Sequence, residues 1–571
     1  MDSRPLRQRK LQRWGALKSE RSTWDNRARE ISELLLPFSG RFTSTDRNRG
    51  DKSFNNILDS TATRALGILS AGLMAGMTSP ARPWFRLAVA DEEAMENGNV
   101  KTWLNDLTNL MRNIFARSNT YRALHSMYEE LGGFATSANI IDDNFEKVLW
   151  NTPLTWGEFA LSTDKLGRVN SLYREFDMTV ANIVGEFGNV NPKSGSIDWS
   201  NISVSVKNLW DQGKAYDQWV PILHAIEPRA FSDREYGRSD QKNMHFSSCY
   251  FELNGNEEKT LRESGYKDFP VLGVRWHTRG RDIYGNGPSM VALGDIKQLQ
   301  HEQLRKGQGI DYMTLPPIAI PGELSGREVD SLPGGVTAIG LSATGSKIQN
   351  LFDVRLDLSH LLADINDVRA RINQAYYADL FLMITNMPGV QPRNVAEIAE
   401  RHEEKLLMLG PVLERLHDEM LSELIDITFT KIVDAGILPP PPQELQGQDL
   451  KVEFVSMLAQ AQRAVGLGSV DRLIGTVTLV AQGSGDMSAW DKVDKDQVID
   501  KYSDMLAVDP SLIVTDDKIV LVRSERAKQQ RAAQMAEHAP AMAQAAKNLS
   551  ETNTKDKNAL TDLTRQFSGY S

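Results

Sequence analysis

The stretch ALGILSAGLMAGMTSPARPWF, Ala65 to Phe85, is the most apolar passage of the chain and constrains its fold most strongly. Its uninterrupted apolar or small run extends from Ala65 to Met77, which is 13 residues. A membrane-spanning helix needs about 20 such residues. Each glycine costs a helix about 1 kcal/mol relative to alanine, so several glycines in one helix indicate close packing. We therefore expect a buried helix whose small residues meet a neighbour: Gly67, Ala71, Gly72, Ala75 and Gly76.

Length and composition narrow the class of protein. A chain of 571 residues predicts about two to four domains. The single cysteine, Cys249, excludes an internal disulfide framework and any multi-cysteine metal site. The N-terminal segment MDSRPLRQRKLQRWGALK has basic residues but no apolar region, so it does not resemble a signal peptide. The net charge of −10 argues against a protein that grips DNA tightly, but it is compatible with one past which DNA slides.

Three helices are predicted in the first quarter of the chain, at 5–36, from near Phe54, and at about 101–132. The first of them carries four basic residues near its start. We interpret these as a solvated face, with phosphate contact as the alternative: Arg7, Arg9, Lys10 and Arg13.

An α+β segment follows from about 137 to 287. Alternating apolar residues there predict strands, with a turn at Asp164–Gly167. The pair Asn254-Gly255 predicts a second hairpin.

From 288 onward the pattern becomes helical, with one interruption. A helix is predicted at 289–308, short strands and turns at 311–356, and a second helix at 357–382. Prolines 388 and 392 break the chain, and a long helix from about 394 to 435, kinked at Pro411, ends at Gly436. Residues 450–571 are predicted to be largely helical, and the last thirty or so to be ordered only with a partner.

The helix predicted at 357–382 has two faces. Its apolar positions form one stripe: Leu358, Leu361, Leu362, Ile365, Val368, Ile372 and Tyr376. Polar residues recur at steps of four and three on the opposite stripe: His360, Asp364, Asp367, Arg371 and Gln374.

No motif predicts a catalytic, cofactor-binding or metal-binding site. The nine histidines form no HExxH pair, and the chain has no phosphate-binding loop or strand-linked GxGxxG. The segment Gly340–Gly345 is one residue too long for a nucleophile elbow, and the acidic run Asp491–Asp500 lacks the glycine and final glutamate of a calcium loop. We therefore expect a structural assembly protein rather than an enzyme, with no cofactor.

Three segments resemble the portal proteins, or head-to-tail connectors, of short-tailed bacteriophages. They are LDSTATRALGILSAGLMAGMTSPARPWFRL (58–87), LTWGEFALSTDKLGRVNSLYREFDMT (154–179) and YGNGPSMVALGDIKQLQ (284–300). The order helix, strand-rich excursion, helix, broken loop and long helix in 288–437 is similar to the stem, clip, stem, tunnel loop and wing helix of that family. The fold class that the resemblance implies is mainly α with an α+β wing, arranged as wing, stem, clip and crown or barrel in a ring oligomer.

The resemblance implies seven regions. They are a wing region (1–287), a stem helix (288–310), a clip (311–356), a second stem helix (357–382), a tunnel loop (383–394), a long kinked wing helix (395–437) and a C-terminal crown or barrel region with a flexible tail (438–571). The polar stripe of 357–382 is then expected to line a channel, with Arg371 and Arg393 as basic rings. The expected tunnel-loop residues are Thr385, Asn386, Met387, Pro388, Gly389, Gln391 and Arg393, and those expected in subunit packing are Gly67, Gly72 and Gly76.

A portal protein forms a ring of twelve subunits around double-stranded DNA at one capsid vertex, so this chain is expected at the head–tail junction of the virion and in the host cytoplasm during assembly. The expected partners are the terminase motor, tail adaptor proteins, and capsid and scaffolding proteins. Twelve copies at −10 each would carry about −120, a field that repels phosphates. Three alternatives stay open: a tail adaptor or other virion ring protein, a membrane-active protein using 54–78, and an enzyme of unknown type.

Overall fold

The computed structural model describes residues 4–42, 57–89, 97–254, 259–321, 332–339, 349–350, 359–385, 409–445, 450–455, 473–483 and 519–533, with a few isolated positions besides and single gaps at 192, 194, 236 and 239. Two compact units divide the chain. The larger comprises residues 1–90 and 102–476, and the smaller comprises residues 91–101 and 477–571.

Helices dominate both ends of the larger unit, and strands occupy its middle. The helices are α1 (Leu6–Leu34), α2 (Thr61–Met77), α3 (Gly98–Arg117), α4 (Thr120–Phe134), α5 (Val180–Phe187), α6 (Val204–Asp211), α7 (Pro288–Thr314), α8 (Ser359–Ala375), α9 (Ala378–Thr385) and α10 (Glu423–Asp434). The strands are β1 (Phe85–Val89), β2 (Thr136–Asn144), β3 (Val148–Leu154), β4 (Phe159–Thr163), β5 (Val169–Thr179), β6 (Trp219–Pro228), β7 (Phe246–Glu252), β8 (Arg262–Tyr266), β9 (Val271–Arg275), β10 (Ile318–Pro321), β11 (Val336–Ile339), β12 (Gln349–Asn350) and β13 (Leu450–Phe454).

The α+β segment predicted at 137–287 is confirmed. It contains an antiparallel five-stranded sheet in the order β4-β5-β6-β7-β8 and a three-stranded sheet in the order β3-β2-β9. The turn predicted at Asp164–Gly167 joins β4 to β5, with Gly167 at φ 81° and the Asp164 carboxylate accepting the N–H groups of Leu166 and Arg168. β7 and β8 pair antiparallel as the second hairpin signal predicts, although 255–258 lie outside the described residues.

Helices cover both faces of the five-stranded sheet. Side chains of alternate parity on its strands pack against α1 on one face and against α5 and α6 on the other, as the period of two along a strand requires. The α1 face buries Trp14, Leu17, Tyr173, Leu223, Cys249 and Phe251. The opposite face buries Ile183, Val184, Phe187, Val206, Ile222 and Tyr250.

The basic residues of α1 help to anchor it, and the interpretation as a solvated face is wrong for Arg7 and Lys10, which are buried. Arg7 is buried and donates to the Glu252 carbonyl at 2.6 Å. Lys10 is also buried, with Nζ 2.5 Å from Glu227 Oε1 and 3.0 Å from Ser247 Oγ. Arg9 pairs with Asp233, and Arg13, although exposed, donates to Ser162. Long basic side chains extend along an apolar helix face and place their charges at its border, where here they meet acceptors on the sheet.

We predict that Lys10→Ala lowers the free energy of unfolding by about 3 kcal/mol, because the Glu227 carboxylate loses its cationic partner beside a buried face. Urea unfolding followed by tryptophan fluorescence measures the change. The control on the same helix is Lys18→Ala, whose half-exposed pair with Glu175 at 3.1 Å contributes less than about 1 kcal/mol. Equal losses in the two variants would contradict the anchoring role.

The single helix predicted at about 101–132 is two helices, α3 and α4, which break at Ser118 and Asn119. Asn119 explains the break, because its side chain binds the backbone of Asn151 in both directions: Nδ2 donates to the carbonyl at 2.7 Å, and Oδ1 accepts the N–H at 2.8 Å. The side chain of Asn151 in turn accepts a hydrogen bond from Asn139. Local periodicity does not predict this pairing, because Asn119 and Asn151 lie 32 positions apart in the sequence.

α4 carries a buried carboxyl group, Glu130, that holds the connection between β3 and β4. It accepts from Thr155 Oγ1 at 2.8 Å and from the Trp156 N–H at 3.2 Å. Burial raises the pKa of Glu130 to about 7, and these hydrogen bonds only partly offset that effect. The group is therefore close to half protonated near neutral pH.

We predict that stability falls as pH rises toward 7 in a way that depends on Glu130. A carboxyl whose folded pKa is raised stabilises the fold fully below its unfolded pKa, near 4.5, and loses that contribution as pH rises through about 7. Glu130→Gln, which mimics the neutral form, should flatten the thermal midpoint between pH 5 and 8. An unchanged slope in the variant would show that other groups produce it.

One face of the apolar run Ala65–Met77 packs within the chain, as expected for a buried helix, whereas Gly67, Ala71 and Ala75 are exposed in the single chain. α2 buries Ala65, Leu69, Leu73 and Met77 almost completely. The helix begins at Thr61 and not near Phe54, because residues 57–60 are not helical and Asp59 accepts the Thr61 N–H at 2.9 Å.

The order helix, short strands, helix that the sequence predicts for 289–382 is largely confirmed. α7 extends to Thr314, beyond the predicted end at 308, and strands β10, β11 and β12 form a small sheet within 311–356. The prediction of one continuous second helix is wrong, because this segment forms two helices, α8 and α9. Tyr377 causes the division, because its φ of 54° lies in the left-handed region and interrupts the helical backbone.

A helical run at 409–434 agrees with the predicted long helix, and its end at Gly436, with φ 68°, is confirmed. One turn within it, His417–Ser422, is π-helical, which no local signal predicts. Glu419 on this turn pairs with Arg275 of β9 at 2.6 Å and with Arg415 at 2.9 Å, so the turn docks on the three-stranded sheet. The kink predicted at Pro411 is untested because 386–408 lie outside the described residues.

The prediction that 450–571 is largely helical is wrong at its start, where β13 pairs antiparallel with β1. An ion pair between Arg86 and Glu453 at 2.7 Å joins the two strands. Residues 473–483 and 519–533 are helical as predicted.

Candidate functional site: the exposed face of α8

α8 has the two faces that its sequence predicts. Ile365, Val368 and Ile372 are at most 1% exposed and pack into the chain. The five polar residues of the opposite stripe all lie at the surface: His360, Asp364, Asp367, Arg371 and Gln374. Leu362, predicted on the apolar stripe, departs from the pattern because it is 41% exposed.

Asp59 fixes the position of α8. Its Oδ2 accepts from Arg369 Nη2 of α8 at 2.7 Å and from Gln303 Nε2 of α7 at 2.9 Å. Its Oδ1 accepts both the N–H and the hydroxyl of Thr61, the first residue of α2. Gln300 of α7 completes the junction, since its amide exchanges hydrogen bonds with the Asp59 backbone in both directions at 2.9 Å.

The Asp59 carboxylate stays ionised in this setting. Burial by itself would raise its pKa, but hydrogen bonds from Thr61 and Arg369 outweigh burial and lower it. Sequence reasoning missed this junction. The available signals were the Asp-Ser-Thr segment before α2, which is typical of a helix start, and two glutamines one turn apart on α7.

A second contact joins the polar stripe to α7. Arg371 lies 3.0 Å from Asp295 of α7 and 3.3 Å from Asp367, one turn away on α8. The cation predicted to meet passing phosphates is thus held between two carboxylates. Asp364 adds a further carboxylate to the same face, so the face is acidic in sum.

Hydrogen bonds of two buried hydroxyl groups hold the C-terminal end of α8 in place. Tyr376 Oη donates to Ser289 Oγ of α7 at 2.8 Å, and Ser289 donates to the Gly132 carbonyl of α4 at 2.7 Å. Burial raises the pKa of the Tyr376 phenol, so it remains a donor.

The glycines predicted in subunit packing occupy different surroundings. A Cβ on Gly72 would lie 2.3 Å from the Phe381 ring of α9, so Gly72 packs within this chain. Gly67 is exposed, with no atom within 4 Å of an added Cβ, and Gly76 is half-buried. Their role between subunits stays a prediction.

Most of the predicted tunnel loop lies outside the described residues: Asn386, Met387, Pro388, Gly389, Gln391 and Arg393. Thr385, predicted in the same loop, is instead the last residue of α9. The apolar segment ADLFLMIT forms α9, so the chain stays helical up to Thr385, beyond the predicted helix end at 382.

The part of the chain that the structure describes contains neither a metal-ligand cluster nor a membrane-spanning helix. No group of three or more His, Cys, Asp or Glu side chains there is arranged to hold a metal ion. None of the helices among those residues is both long and apolar enough to cross a membrane. His301 and His360 are exposed on α7 and α8, while Gly340–Gly345 lies outside the described residues.

Comparison with known proteins assigns the chain to a family. Residues 7–514 match the family described as bacteriophage head to tail connecting protein. The chain belongs to this family. A probable portal protein of Bordetella phage BPP-1 is 54% identical, and a portal protein of Salmonella phage epsilon15 is 41% identical; each alignment covers 98% of both chains.

As a head-to-tail connecting protein, the chain is a structural component of the phage and not an enzyme. The resemblance noted in three of its segments is thereby confirmed, and the mixed helical and strand content agrees with a portal fold. A solved structure described as the virion of native gene transfer agent (GTA) particle aligns with 73% of this chain and 86% of its own at 10% identity. Its TM-score of 0.31 is too low to establish a shared fold.

We predict opposite effects for alanine at two glycines of α2. Gly72→Ala should destabilise the chain by about 1–3 kcal/mol, since the new Cβ overlaps the root of the Phe381 ring. Gly67→Ala should stabilise the unassembled chain by up to about 1 kcal/mol, because helix propensity rises and nothing is displaced. Thermal unfolding measures both effects.

Sedimentation velocity of the same two variants tests the packing role of Gly67. If Gly67 packs between subunits, Gly67→Ala weakens self-association while stabilising the single chain. Unchanged self-association would remove Gly67 from the interface.

Proposed function

We propose that the chain assembles into a ring of twelve subunits at one vertex of the capsid and encloses a channel for double-stranded DNA. In this role it serves genome packaging, DNA retention, ejection and head-to-tail attachment. The terminase motor docks on the ring during packaging, tail adaptor proteins replace it afterwards, and capsid and scaffolding proteins surround it during assembly in the host cytoplasm.

The observation that carries the proposal is that all five residues of the α8 polar stripe are exposed, while Ile365, Val368 and Ile372 of the apolar stripe are buried. A surface helix held this firmly, with its carboxylates outward, is suited to a channel wall. Asp364 and Asp367, repeated around a ring, would give belts of negative charge. Such belts repel phosphates, so DNA passes without being held by ion pairs.

The elements fit the proposed regions with small changes of boundary. α7 and α8 form the stem pair, with α7 reaching Thr314 and not 310, and β10–β12 form the clip between them. The two sheets built from β2 to β9 and their covering helices belong to the wing. The tunnel loop follows Thr385, and Arg393 within it supplies a basic ring.

We predict that the double variant Asp364→Asn with Asp367→Asn binds double-stranded DNA several-fold more tightly than the unaltered protein at low salt. Two repulsive charges per subunit are lost, and Arg371 is left with one carboxylate partner instead of two. An electrophoretic mobility shift assay on assembled protein with linear DNA, repeated at two salt concentrations, measures the change.

The matched control neutralises two exposed acids elsewhere, Asp106→Asn and Glu146→Gln, with the same change of net charge. Tighter binding in both variants would mean that only total charge matters. Unchanged binding in the α8 variant would contradict the placement of the stripe on the DNA path.

The alternatives carry less support. A tail adaptor is disfavoured because the portal proteins of two phages align with this chain over 98% of their own lengths. A membrane-active protein using 54–78 would bury α2 in lipid, whereas α2 is packed against the chain's own helices. Liposome flotation separates the two, since a portal protein stays in solution.

A further inference from the structure

A cavity of about 510 Å³ lies on one face of the five-stranded sheet, away from α8. Its floor is formed by side chains of equal parity on β5, β7 and β8, and its rim by α5 and β2. This volume falls in the range of sites that hold small molecules or a few residues of a peptide. The residues that matter for its chemistry are Asp142, Asp143, Arg174, Glu186, Tyr250 and Arg262.

A row of directly paired residues crosses the sheet beneath the cavity. Strand pairing places Arg174 beside His224, His224 beside Tyr250, and Tyr250 beside Arg262. The His224 and Tyr250 rings stack at 3.8 Å, and the Arg262 guanidinium lies 4.8 Å from the Tyr250 ring. The row therefore places two stacked aromatic rings between two arginines.

The carboxylates around the cavity all have partners. Asp142 accepts the Tyr266 hydroxyl at 3.0 Å, Asp143 pairs with Lys431, and Glu186 pairs with Arg262 at 2.7 Å. Asp143 and Glu186 are thus paired with cations, and Asp142 with a neutral hydroxyl.

Arg174 is the exception among these charges. Its guanidinium lies 4.3 Å from the Phe176 ring, and no hydrogen bond or ion pair reaches it from the described residues. The neighbouring His224 adds no charge, because burial, together with the two arginines, lowers its pKa well below the usual value. Among the described residues the charge of Arg174 interacts with the Glu158 carboxylate, but no carboxylate lies in hydrogen-bond contact with this half-buried guanidinium at the cavity.

We propose that this cavity binds a carboxylate carried on an apolar or aromatic body, with Arg174 as its ion-pair partner. A guanidinium fork matches a carboxylate in two parallel hydrogen bonds. Phe176, Phe187 and Tyr250 provide ring faces for the apolar body. The carboxylate comes either from a free small molecule or from the end of a peptide chain.

Isothermal titration calorimetry on the full-length protein tests the site with two probes, 3-phenylpropionate and the peptide N-acetyl-Gly-Gly-Phe with a free terminus. The corresponding amides, which lack the charge, are the ligand controls. We expect saturable binding of at least one carboxylate and at least tenfold weaker binding of its amide. The tighter of the two probes identifies the source as a free molecule or a chain terminus.

Arg174→Gln should weaken binding of the carboxylate at least tenfold. Arg279→Gln, an exposed arginine outside the cavity, should leave it unchanged. Arg174→Lys retains the charge without the fork, so it should give an intermediate affinity and replaces Arg174→Gln if that variant does not fold. Absence of binding by both carboxylates, equal binding of the amides, or full affinity in the Arg174 variants would each overturn the proposal.

Discussion

A single buried carboxylate, that of Asp59, determines where the helices of the proposed channel wall lie relative to one another. It joins the first residue of α2, Gln303 of α7 and an arginine of α8, while Gln300 of α7 binds the Asp59 backbone. Gln300 and Arg369 lie 241 and 310 positions farther along the chain. A buried charge must have its hydrogen bonds satisfied, and the observed arrangement of the three helices satisfies those of Asp59.

The other contacts of the stem depend on that arrangement. With α8 fixed at Arg369, Ile365, Val368 and Ile372 turn inward and the acidic stripe turns outward. Arg371 then reaches Asp295, and Tyr376 reaches Ser289. The close approach of Phe381 to Gly72 requires a residue without a side chain on α2. Gly72 is one of the glycines that argued against a membrane helix, and packing inside one chain explains its presence.

Periodicity predicted the elements whose burial follows a regular repeat. The stripes of α8, the leucine spacing of the run ending at Gly436 and the alternating strands of the wing belong to this class. Local turn chemistry predicted the hairpin at Gly167. These features depend on residues within a few positions of one another.

Features set by distant partners were not predictable in this way. The break at Asn119 depends on Asn151, the burial of Lys10 depends on Glu227, and β13 depends on β1. The π-helical turn at Glu419 likewise accompanies a tertiary contact, the ion pair with Arg275, and no local signal predicts the left-handed Tyr377. The Asp59 junction combines residues from three segments, which no local window contains.

Cryo-electron microscopy of the purified protein, with native mass determination on the same sample, is the most direct test of the central claim. The account predicts rings with a central hole, a mass near twelve subunits, and Asp364 and Arg371 facing the hole. Rings in which both residues lie on the outer surface would contradict the assignment of α8 to the channel wall.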